Sequence, residues 1–117
     1  MDPDMTHFMQ LQPSPFEMIK DGTKTIELRL FDEKRQKIQI GDTISFTNTE
    51  TREVLNVRVL ELMVFDSFET LYRRLPLLEC GYTKEDIDTA SPGDMDIYYP
   101  KELQQEYGVV GIRIALL

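Results

Sequence analysis

The chain has 117 residues, a formal net charge of −8 and 29% charged residues, which fits one domain over residues 1–117 and leaves no room for a second. An acidic excess argues against a protein that coats nucleic acid non-specifically, because phosphate neutralisation needs lysine and arginine. A single cysteine, Cys80, excludes an intramolecular disulfide, and a single histidine, His7, excludes a Cys/His zinc cluster, so neither metal nor cofactor is expected.

The acidic start Met1-Asp2-Pro3-Asp4 is the opposite of a secretory signal, and no apolar run approaches the roughly 18 residues of a membrane span. A reducing cytoplasm is the expected location, with no membrane partner. Residues 5–11 alternate and predict a first strand. Pro13-Ser14-Pro15-Phe16-Glu17 reads as a helix start, with Ser14 capping, Pro15 at the first helical position and Glu17 completing a capping box. Gly22 ends that helix. Thr25 to Phe31 predicts a second strand, Ile26, Leu28 and Leu30 on its apolar face and Thr25, Glu27 and Arg29 on the other. Asp32 to Lys37 is a charged connection and Gly41-Asp42 a turn. Thr43–Thr47 and Val54–Phe65 read as a hairpin around the turn-rich Asn48 to Arg52. Asp66-Ser67-Phe68-Glu69 caps a helix running to about Leu75, and Thr83-Lys84-Glu85-Asp86 starts another. Ser91-Pro92-Gly93-Asp94 is a further start, Lys101–Tyr107 a helix closed by Gly108, and Val109 to Leu117 a last strand. This order predicts an α+β fold, a small mixed β-barrel with short helices plugging one end.

Charge is unevenly spread. Residues 20–37 carry Lys20, Lys24, Arg29, Lys34, Arg35 and Lys37 against Asp21, Glu27, Asp32 and Glu33. Within this stretch Glu27 and Arg29 share a strand face about 7 Å apart, and Lys24 sits at the mouth of the glycine turn. A carboxylate, a guanidinium and an ammonium so placed can read a polar planar ligand; an exposed ion pair is the plainer reading of the same spacing. Lys34 and Arg35 are candidate phosphate contacts or a solvated turn. His7 could face a cleft as base or ligand, or be hydrogen-bonded at the edge of the core. Cys80 has no second histidine to activate it and reads as a buried spectator. Tyr98, Tyr99 or Tyr107 could stack on a base, or pack the helices beside Asp94 and Asp96.

The run Gly22-x-Lys24-Thr25-x-Glu27-x-Arg29, preceded by Pro15-Phe16-x-x-Ile19 and followed by Gly41-Asp42-x-Ile44-x-Phe46, resembles the ASCH domain family, as does the closing Tyr107-Gly108-Val109-Val110-Gly111-Ile112. The resemblance spans nearly the whole chain and implies a PUA-like β-barrel related to RNA-binding domains. It implies an RNA- or nucleotide-binding module, monomeric, whose partner is single-stranded RNA or a small nucleotide or nucleoside. The expected ligand-binding set joins Lys24, Thr25, Glu27 and Arg29 of this motif to the candidate phosphate contacts Lys34 and Arg35. A branch of small family members hydrolyses the amide of N4-acetylcytidine, with a lysine, a threonine three residues later and a distant glutamate. Lys24 matches that lysine; the next position of the pattern is Glu27 rather than threonine, and Glu79 and Glu85 are the nearest distant glutamates in chain order. The alternative expectation is therefore a nucleoside amidohydrolase in which Lys24 and Glu27 do the chemistry.

Overall fold

In a computed structural model, which describes residues 5–117, five strands form one curled sheet. The elements are β1 (Thr6–Leu11), α1 (Pro13–Lys20), β2 (Ile26–Leu30), α2 (Glu33–Gln36), β3 (Thr43–Asn48), β4 (Val54–Phe65), α3 (Phe68–Arg74), α4 (Lys101–Tyr107) and β5 (Val109–Leu116). Short 3-10 turns at Leu77–Glu79, Ile87–Thr89 and Pro92–Ile97 fill the span between α3 and α4. The strand order is β1-β3-β4-β5-β2, with β1 parallel to β3 and every other pairing antiparallel. The result is a half-barrel whose two edge strands, β1 and β2, face each other across an open seam.

Alternation assigns the two faces of the sheet. Val110, Ile112 and Ile114 of β5 join Ile44, Phe46, Val57 and Val59 inside the curl, where α1 inserts Phe16 and Ile19. Val109 of β5 and Ile26, Leu28 and Leu30 of β2 point the other way, onto Phe68 and Leu71 of α3. Burying each such side chain stabilises by roughly 1.5–3 kcal/mol, so both helices are held by the sheet rather than by their own propensity. Just past the end of α3, a Cβ on Gly111 of β5 would stand 2.6 Å from Leu75 Cδ1, so a larger residue there would have to displace the Leu75 side chain.

The expected α+β barrel with short helices is the observed architecture, but three local expectations are corrected. Helix α1 begins at Pro13, not Pro15, with Gln12 as its N-cap and no side-chain cap, so Ser14 and Glu17 form no capping box. Pro13 takes the first helical position itself, since it has no N–H to leave unpaired there. Thr83–Asp86 forms a turn, in which Asp86 Oδ1 accepts from the Thr83 amide and hydroxyl, and leads into the short 3-10 turn Ile87–Thr89 in place of an α-helix. The charged connection contains the one-turn helix α2, capped by Asp32, which accepts from the Arg35 amide at 3.2 Å.

Candidate functional site

Gly22, at φ +89°, turns the chain out of α1, and the Lys24 amide then bonds back to Met18 O at 3.0 Å. This fold-back sends the Lys24 side chain into the seam just before β2 begins. Glu27, on the inward face of β2, is 3% exposed and accepts from Lys24 Nζ at 2.8 Å and from Arg29 Nε at 2.7 Å. Arg29 Nη2 donates to Gln10 O of β1 at 2.8 Å, so the cluster spans the seam from edge to edge. Burial opposes ionisation of Glu27, but Lys24 and Arg29 outweigh it and hold the carboxyl at about 2. Burial likewise disfavours the Arg29 cation, and Glu27 more than offsets this, leaving its pKa raised.

The cluster is the floor of a cleft of about 840 Å³. Gln10 and Gln12 border it on the β1 side, and Tyr72, Tyr82, Tyr98 and Tyr99 on the other. Cys80 and Gly81 complete the floor; Gly81, at φ +114°, leaves the space into which Lys24 packs, a Cβ there lying 3.4 Å from Lys24 Cδ. The tyrosine wall is internally braced. Tyr82 donates to Asp94 Oδ2 at 2.7 Å and shares a 2.7 Å bond with the Tyr72 hydroxyl, while Tyr99 stacks on Phe68 with ring centres 6.2 Å apart. Burial, with the bonds to Tyr72 and Asp94, raises the Tyr82 pKa and keeps the phenol protonated. Ser91 and Asp94 form a capping box that shapes the loop carrying this wall.

Of the residues singled out in the sequence, the structure brings Lys24, Glu27 and Arg29 together. Thr25 turns to the opposite side, donating to Glu79 Oε1 at 2.9 Å, where Arg113 Nη1 also binds at 3.0 Å. Lys34 lies outside the cleft on the same seam, its amine on Phe8 O, and Arg35 pairs with Asp32 at 2.9 Å. His7 is buried against Asp42 at 2.8 Å and does not line the cleft, nor do Glu79 and Glu85. The carboxylates that do are Glu27, Asp86 and Asp94. Cys80 lines the floor, but burial pushes its thiol up to about 12, Lys24 offsetting only part of this, so it is a poor nucleophile at neutral pH. Tyr107 bonds Glu33 at 3.2 Å, away from the cleft. Gln10, Gln12, Tyr72 and Tyr82 carry no local signal of their role; only the folded seam assembles them.

Among the described residues no group of three or more His, Cys, Asp or Glu is placed to hold a metal, and no helix is long and apolar enough to cross a membrane. Among curated proteins none matches the chain. Solved structures do. Hypothetical protein PH0355 is 33% identical, with a TM-score of 0.80 over 97% of this chain and 100% of its own. Protein PF0455 from Pyrococcus furiosus is 36% identical, with a TM-score of 0.73 over 97% of this chain and 98% of its own. The ASCH protein of Zymomonas mobilis, at 16% identity, shares the fold with a TM-score of 0.67 over 97% of this chain and 70% of its own. The family model for the ASCH domain matches residues 9–117, which takes in the seam cluster, the tyrosine wall and the closing strand. This chain belongs to the ASCH domain family.

Proposed function

We propose that the protein binds a nucleotide of single-stranded RNA, or a free nucleotide, in the seam cleft. The observation that carries this reading is the Lys24–Glu27–Arg29 cluster, buried yet opening onto a cleft walled by four tyrosines. Lys24 spends one of its three N–H donors on Glu27, so donors remain for a base carbonyl or a phosphate oxygen. Each Glu27 oxygen retains a lone pair that can accept from an amino group. The tyrosine faces suit an unstacked base, where stacking on an aromatic ring contributes about 1–3 kcal/mol per base. A volume of about 840 Å³ is in the range of small-ligand pockets and far below what a duplex requires.

The amidohydrolase alternative has a narrower footing. With its carboxyl held at about 2, Glu27 anchors Lys24 and Arg29 and is a weak base at neutral pH, so Lys24 would have to move the proton. One experiment separates the readings. Fluorescence anisotropy of a labelled mixed-sequence hexaribonucleotide is expected to show saturable binding with a shallow salt dependence, weakened about tenfold or more by Lys24→Met. Absence of saturable binding overturns the proposal. Deacetylation of N4-acetylcytidine, followed by mass spectrometry and abolished by Lys24→Met, moves the assignment to hydrolysis.

A further inference from the structure

The cleft accounts for a base but not for the chain that carries it. We propose that the edge of β1 is a phosphate track: a single strand with one base in the cleft runs its backbone along β1, past Arg29 and over Lys34. This rests on the binding reading above and assigns the path of the polymer.

Four observations converge on that path. First, β1 is an edge strand, and two of the carbonyls it turns outward, Phe8 O and Gln10 O, are taken by Lys34 and Arg29. Those carbonyls are two residues apart, so the cations stand along the edge at a spacing of roughly 7 Å. Lys34 keeps two of its three N–H donors and is largely exposed. Second, the cations crowd one another. Burial, then Arg35 and Arg29, lower the Lys34 pKa, with Asp32 the opposing charge, and an anion on the edge relieves that repulsion. Third, the opposite wall repels phosphate. The residues lining the cleft include the cations Lys24 and Arg29 but the carboxylates Glu27, Asp86 and Asp94, the last two on the tyrosine side. The backbone is therefore driven to the β1 side. Fourth, Phe8 is 67% exposed at the point where Lys34 grips its carbonyl, an aromatic face that the protein's own core does not use. A neighbouring base can stack there.

The test uses the labelled hexaribonucleotide over a salt series with the intact chain and three exposed-site variants. Lys34→Gln is expected to weaken binding about threefold to tenfold and to flatten the log–log salt slope by about 0.7, the loss of one phosphate contact. Phe8→Ala is expected to weaken binding about threefold with the slope unchanged, because stacking releases no counterions. Lys84→Gln, on the acidic side, is expected to change neither. If Lys34→Gln leaves affinity and slope unchanged, or if Lys84→Gln matches its effect, the track is overturned while the binding reading stands. If the unaltered protein does not bind the hexaribonucleotide, both are overturned.

Discussion

The protein buries two ionised clusters at its edge strands, and they differ in what their partners have left to give. At the foot of β1, Asp42 accepts from His7 Nε2 at 2.8 Å, from the Gln39 amide at 2.9 Å and from the Met5 amide at 3.3 Å. Two of those donors are backbone N–H groups with a single hydrogen each, so the bonds exhaust them, and the cluster serves to tie β1 to the turn before β3. In the seam, Glu27 accepts from Lys24 and Arg29, and both cations keep donors that open onto the cleft. Both carboxylates are buried, but their partners differ, and the seam cations keep spare donors facing open space, which favours the seam for the proposed binding.

That contrast breaks most sharply at Glu27. Glu27→Gln leaves two buried cations without a counter-charge and is expected to cost about 3–5 kcal/mol in chemical denaturation. The same carboxylate predicts an acid response. Its pKa falls from an ordinary 4.5 to about 2 on folding, so its contribution is complete above pH 4.5 and lost as pH drops towards 2. Acid unfolding should steepen across that window, and Glu27→Gln should remove this share of the slope. Asp42→Ala is expected to cost about 2 kcal/mol by orphaning buried donors, with hexaribonucleotide affinity unchanged; a matching loss of binding would erase the distinction between the clusters. Gly81→Ala is the smallest and the sharpest. Its positive φ costs an alanine about 1 kcal/mol, while its Cβ would meet Lys24 Cδ at an ordinary contact distance of 3.4 Å, so stability should fall and affinity should change by less than about twofold. A large loss of affinity in that variant would show that Lys24 has no room to adjust.

Much of this was legible in the sequence because alternation is a local property. The bounds of β4, Val54–Phe65, follow from it directly, and so does the shared face of Glu27 and Arg29. The burial of that face was not legible, since it depends on β1 arriving across the seam from a different part of the chain. The braced pair Tyr72 and Tyr82 was hidden for the same reason, its third member Asp94 lying beyond a further turn. The errors at Ser14 and Thr83–Asp86 have a different origin. Pro13 and Pro15 both suit a first helical turn, and an aspartate can cap a helix or close a turn with the same oxygen.

The strand order also dictates when the cleft can exist during folding. β2 pairs as a strand only with β5, near the far end of the chain, and β1 only with its parallel partner β3. Neither edge can be seated by local contacts, and such long closures are slow. Arg29 meets Gln10 only after both have docked. The seam therefore closes only when both edges are docked and opens when either detaches, so a strand bound across it, as proposed above, would act as a clasp on the barrel.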